Sequence, residues 1–173
     1  MIKSKNFPYV EDDILLDKIT SEDIKKEHVD TLNDKEYLKY SQQRFYKHTK
    51  ESINKYICSQ NKLGNYFLKA VVKHNHVGNI GIKINRFDKI ANLSILIFKN
   101  YCASGFGKRI FKCSLNLCYK IKYIEKIEAG TYANNKAMIA LMKSSKMKKD
   151  GIRKSHHVFQ GKRVDCVYFS IFK

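Results

Sequence analysis

The chain has 173 residues, 43% of them hydrophobic, enough for one domain with its own core, and no apolar run nears the roughly 20 residues that a membrane helix needs. Thirty-four Lys and Arg against 16 Asp and Glu leave a formal net charge of +18, which suits a polyanionic partner. The wealth of Lys, Asn, Ile and Tyr, with one Pro and no Trp, is also what an AT-rich genome yields, and that explains the bulk charge without a partner.

In chain order, the opening MIKSKNFPYVEDD carries no apolar segment of the kind a leader peptide needs, which predicts a cytoplasmic protein. DILLDKIT (13–20) alternates loosely and predicts a first strand. SEDIKKEHVDTLND (21–34) predicts a helix with Ser21 as its N-cap and acids in the first turn. A second helical stretch is expected through DKEYLKYS (34–41). HTKESINKYICSQ (48–60) predicts a further helix, capped by Thr49, with Ile53, Tyr56 and Ile57 on one face. The period then changes to two, and residues 65–85 predict a hairpin with HNH (74–76) as its turn. ANLSILIF (91–98) is a third strand of this group, and residues 107–124 are long enough for about four helical turns. KIEAGTY (126–132) predicts a strand, and NNKAMIALMKSS (134–145) a helix capped by Asn134. The end, residues 156–173, predicts two strands around QGKR. This order predicts an α+β fold, with a single mixed and mostly antiparallel sheet of about seven strands and helices on both faces.

The five cysteines show no C-x-x-C spacing and are expected to be free thiols, with no metal site and no disulfide. CASGFGKRIF (102–111) stands between a predicted strand and a predicted helix. A glycine turn there exposes successive backbone N–H groups at a helix N-terminus, which is an anion site. Lys108 and Arg109 add positive charge in the same turn. The spacing is neither that of a Walker A loop nor that of the dinucleotide fingerprint. On these residues alone, a tight strand–helix turn is the alternative.

NYCASGFGKRI (100–110) resembles the acetyl-coenzyme A loop of the GNAT superfamily of N-acetyltransferases, whose pattern is Q/R-x-x-G-x-G/A. Gly105 and Gly107 fill its glycine positions, and Cys102 stands where Gln or Arg is usual. GTYANNKAMIALMKSSKM (130–147) resembles the family segment in which a strand is followed by an Asn, a short helix and an apolar residue, and DGIRKSHHVFQGKRVDCVYFSI (150–171) is similar to endings of the ribosomal-protein N-terminal acetyltransferase-like branch. Residues 32–57 resemble its acceptor-side helices. The resemblance covers residues 13–172, and the first dozen residues add nothing to it.

The resemblance implies a GNAT fold with two strands splayed at the acetyl-coenzyme A site, and acetyl-coenzyme A as co-substrate without a metal. It implies pantetheine pairing with the backbone of Leu96, Ile97 and Phe98. The pyrophosphate would be cradled by the amides of Ala103, Ser104, Gly105, Phe106, Gly107 and Lys108, with Lys108 and Arg109 screening the phosphates. Asn135 matches a family residue that contacts the cofactor arm, and it reads equally as a helix cap. Two family positions depart from pattern: Asn92 stands at the usual carboxylate base, and Met142 at the usual Tyr acid. His48 and Ser144, with Tyr40 and Asp88, are the substitutes considered for proton transfer. The expected partners are acetyl-coenzyme A and an amine acceptor, favouring a nucleotide-linked or free amino sugar and next a protein N-terminus. No membrane is expected, nucleic acid is disfavoured, and the protein is expected as a monomer or homodimer. The alternative functions are a non-catalytic acyl-coenzyme A binder and a basic nucleic-acid module.

Overall fold

The computed structural model describes residues 7–173. Among these, eight strands form one sheet in the order β1-β2-β3-β4-β5-β6-β8-β7, flanked by four α-helices. The strands are β1 (Tyr9–Glu11), β2 (Ile14–Lys18), β3 (Tyr66–Val72), β4 (Asn75–Asn85), β5 (Ile90–Ile97), β6 (Lys126–Tyr132), β7 (Lys148–Phe159) and β8 (Lys162–Phe172). The helices are α1 (Lys26–Asn33), α2 (Lys50–Lys62), α3 (Phe106–Lys120) and α4 (Lys136–Ser144). All neighbouring strands run antiparallel except β5 and β6, which are joined through α3 and lie parallel.

Strand alternation sorts the side chains onto two faces. Leu16, Leu68, Ile80, Ile82, Leu93 and Ile127 point to one face and bury against Ile110, Phe111 and Leu117 of α3 and Met142 of α4. The apolar spacing of α3 puts Ile110, Phe111, Ser114, Leu117 and Cys118 on one buried stripe, the 3.6-residue period that commits this segment to a helix. A smaller cluster lies across the sheet, where Ile19, Ile24, Leu32, Leu38, Ile53 and Ile57 gather over Phe67 and Leu96.

Several expectations need correction. The sequence reading places its first strand at residue 13, but Tyr9–Glu11 already form the edge strand β1, and Asn116 of α3 donates to both Glu11 carboxylate oxygens at 2.9 and 3.0 Å. Ser21 does not cap a helix. Thr20 and Asp23 form a reciprocal capping pair around a single tight turn, Ser21–Asp23, and α1 begins only at Lys26. Residues 34–41 are turns rather than helix, because Asp34 Oδ1 takes the Tyr37 amide at 2.9 Å and competes with the helical ladder. The first hairpin turns at Lys73 and His74, both at positive φ (48° and 67°), so His76 belongs to β4. α4 is capped by Asn135 and not Asn134, and α3 ends at Lys120, short of residue 124. β7 starts at Lys148, well before residue 156. Thr49 does cap α2, accepting from the Ser52 amide, as its sequence predicts.

Candidate active site

The sheet opens between β5 and β6. Their parallel ladder holds only Ile90 to Lys126, Ala91 to Ile127 and Asn92 to Glu128, then stops. The Phe98 amide donates to the Val77 carbonyl of β4 at 2.9 Å, which fixes the phase of β5. Leu96 and Phe98 therefore turn their backbone groups toward β4, while Ile95 and Ile97 turn theirs toward the gap. On the far wall, the Ala133 amide donates to the Asp165 carbonyl of β8, so Gly130 and Tyr132 present their backbone to the same gap. Tyr37 closes one of these positions, donating its hydroxyl to the Ile97 carbonyl at 2.8 Å. Burial, followed by the neighbouring Cys102, raises the Tyr37 phenol above its ordinary value.

The glycine turn stands at the C-terminal end of β5. Ala103 and Gly105 are held at positive φ (64° and 74°), and Gly105 is the N-cap of α3 with no side chain capping it. The amides of residues 103–108 have no hydrogen-bond partner among the described residues. Ala103, Ser104 and Gly105 are exposed. Six donors at the N-terminus of a 15-residue helix make a site for a doubly charged anion. Lys108 is exposed beside it, whereas Arg109 is engaged by Asp13.

The face opposite α3 is open across the middle of the sheet. Ser94 lies over Gly81, and the Tyr168 ring covers Gly130 so closely that an added Cβ would stand 2.7 Å from it. Arg153 stacks on the outer side of Tyr168, 4.7 Å from the ring centroid. At the foot of the gap, Asn92 Nδ2 donates to Glu128 Oε1 at 3.0 Å. Glu128 thus brings a carboxylate beside position 92 from across the strand pair, and sequence reasoning missed it. Alternation along KIEAGTY places Glu128 in phase with Gly130 and Tyr132, but its register against Asn92 depends on the α3 crossover.

His48 Nε2 bonds the Gln43 carbonyl at 3.0 Å, and its backbone exchanges two hydrogen bonds with the Asn33 side chain. Ser144 donates to the Leu141 carbonyl of its own helix at 2.9 Å. Asn135 accepts from the Met138 amide and donates to Thr131, so both ends of its amide are occupied. Phe98 is buried against His28 and His76. Met142 is fully buried in the core. Asp88 is held by Asn85, and Tyr40 stacks on Phe159. All five cysteines are free thiols. No group of three or more His, Cys, Asp or Glu among the described residues is placed to hold a metal, and no described helix is long and apolar enough to cross a membrane.

A family profile described as an acetyltransferase (GNAT) domain matches residues 13–148. The chain belongs to the GNAT acetyltransferase family. Solved structures agree with this GNAT fold at low sequence identity. One is the ribosomal L7/L12 alpha-N-protein acetyltransferase RimL in complex with coenzyme A, at 13% identity and a TM-score of 0.81, covering 95% of this chain and 97% of that one. A second is the spermidine N-acetyltransferase of Vibrio cholerae with coenzyme A and spermine, at 14% identity and a TM-score of 0.81, covering 94% of this chain and 96% of that one. A third is the microcin C7 self-immunity acetyltransferase MccE with acetyl-coenzyme A and AMP, at 15% identity and a TM-score of 0.80, covering 94% of each chain. A comparison with curated protein sequences gives no match. As a GNAT domain, the chain carries its sheet opening between the two parallel strands, next to the glycine turn.

Proposed function

We propose that this GNAT domain moves an acetyl group from acetyl-coenzyme A to a primary amine, with a small amine such as a free or nucleotide-linked amino sugar favoured and a protein N-terminus next. The carrying observation is the ladder that stops at Asn92 and Glu128. Beyond it, Ile95 and Ile97 offer backbone groups to a gap that leads to the unpartnered amides of residues 103–108. The pantetheine arm is itself a chain of amides and needs such donors and acceptors, and a pyrophosphate needs the helix N-terminus. We assign pantetheine to the Ile95 and Ile97 backbone. The pyrophosphate goes to the amides of Ala103, Ser104, Gly105, Phe106, Gly107 and Lys108, with the Lys108 ammonium adding charge. Leu96 and Phe98 then shape β5 through their pairing with β4, Arg109 contributes beside Asp13, and Asn135 acts mainly by capping α4.

Acetyl-coenzyme A, when bound, supplies an activated acetyl group: the amine nitrogen bonds its thioester carbon while the carbon–sulfur bond breaks and the thiol leaves. The chain has two tasks in this reaction. A backbone N–H facing the gap stabilises charge on the thioester oxygen, and a base accepts the ammonium proton. His48 Nε2 and the Ser144 hydroxyl are engaged by neighbouring backbone. A second reading, a non-catalytic acyl-coenzyme A binder, is favoured by Asn92 and by the burial of Met142 in the core.

The test is thiol release from acetyl-coenzyme A against amino sugars, nucleotide amino sugars, polyamines and short peptides. Release with one class supports transfer and names the acceptor. Saturable coenzyme A binding with no release for any amine supports the second reading.

A further inference from the structure

Two side chains of opposite charge line one pocket without meeting. The pocket holds about 310 Å³ at the foot of the gap, walled by Asn65, Lys83, Asn85, Asn92 and Glu128. Its three neutral polar side chains are already engaged. Asn65 accepts from the Ile84 amide and donates to Gln60. Asn85 donates to Asp88 and accepts from the amides of Phe87 and Asp88. Asn92 donates to Glu128 Oε1. What remains is Asn92 Oδ1 and Glu128 Oε2, neither with a hydrogen bond among the described residues, and the Lys83 ammonium. Lys83 sits directly across β4–β5 from Asn92, is exposed, and makes no ion pair among the described residues.

We propose that this pocket takes the acceptor, and that the acceptor is a small amine that also carries an anionic group, a carboxylate or a phosphate. This rests on the acetyl-transfer reading above. The ammonium sits at Glu128 and the anion at Lys83, so each charge of the ligand meets its opposite. A polyamine brings a second cation to Lys83, and a peptide N-terminus offers it only a neutral amide. The volume suits a monosaccharide or an amino acid rather than a folded protein end. Glu128 is then a catalytic residue. It takes one proton from the ammonium, and the freed lone pair forms the carbon–nitrogen bond. The sulfur leaves with the electron pair of its broken bond and takes the second amine proton, and Glu128 returns its own proton to solvent. Asn92 acts as a positioning residue, turning the carboxylate into the pocket.

The experiment is calorimetric titration of protein saturated with coenzyme A, using two matched pairs: glucosamine 6-phosphate against glucosamine, and serine against serinamide. The anionic member of at least one pair is expected to bind about tenfold more tightly, as one charge-assisted hydrogen bond provides. Which pair responds separates phosphate from carboxylate. Lys83→Gln is expected to remove that advantage. Glu128→Gln is expected to weaken both members of the pair and to flatten the acid limb of the pH profile of transfer, with coenzyme A affinity as the control for folding. Equal binding within both pairs, an advantage that survives Lys83→Gln, or no binding of any of the four to protein that binds coenzyme A would each overturn the inference while leaving acetyl transfer standing. Protein that does not bind coenzyme A would overturn the acetyl-transfer reading itself, and the inference falls with it.

Discussion

Gly105 carries the glycine turn at a φ of +74°, with nothing within 4 Å of the place where a Cβ would stand. The requirement for glycine is therefore conformational in the protein alone and steric only toward a ligand. A β-branched residue at positive φ is strained by about 1–2 kcal/mol. Its bulk would also stand among the amides that we assign to the pyrophosphate. Gly105→Val is expected to keep the fold, to lose roughly 1–2 kcal/mol in urea unfolding, and to weaken coenzyme A binding more than tenfold in calorimetry. Unchanged affinity would remove the turn from the site. Gly107 differs, since its added Cβ would meet only Ile97 at an ordinary 3.7 Å. Of the residues at this scale, the glycine turn was legible because glycine spacing and the following cations are local facts. Glu128 was not, because its meeting with Asn92 is made by two strands 36 residues apart in sequence.

At the scale of elements, the bounds of β6 and the Thr49 cap of α2 follow from alternation and capping chemistry, and both stand as their sequences predict. The turns at 34–41 and Ser21–Asp23 escape a reading by helical propensity because Asp34 and Asp23 spend their carboxylates on nearby backbone, a competition that propensity does not count. The gap itself depends on how β4 holds β5. A Cβ at Gly78 would stand 2.3 Å from the Leu96 carbonyl oxygen and 2.9 Å from Ile97 Cα, both backbone atoms that cannot swing away. Gly78→Ala is expected to cost about 1–3 kcal/mol of stability and to weaken coenzyme A binding by displacing the wall at Ile97. Gly151→Ala, where nothing lies within 4 Å, is expected to change stability by under about 0.5 kcal/mol. Equal losses in paired urea unfolding curves would contradict this account of β4 and β5.

Across the whole molecule, α1 is tied to β4 by a buried polar chain. Asn79 donates to His28 Nε2 at 2.8 Å and accepts from His76 Nε2 at 2.9 Å, and both imidazoles pack on Phe98 at the end of β5. Burial, and then the neighbouring His76, lower His28 from its ordinary value to about 4, and burial lowers His76 as well. The unfolded chain then binds more protons than the folded one between about 6.5 and 4. Stability is therefore full above that window and falls as the pH drops through it, by on the order of 3 kcal/mol for His28. Urea unfolding at pH 7.5 and 4.5 is expected to show this fall in the natural protein and a smaller one in His28→Gln. A variant that loses as much as the natural protein would show that the fall does not come from His28.

The central claim is that coenzyme A lies in the gap between β5 and β6 with its pyrophosphate on the glycine turn. Residue-resolved amide hydrogen exchange, with and without coenzyme A, tests it most directly. New protection is expected at Ile95, Ile97 and residues 103–108, and none at Leu96 or Phe98, whose amides already pair with β4. Protection confined to the β7–β8 hairpin, or an unchanged exchange pattern at saturating coenzyme A, would contradict it.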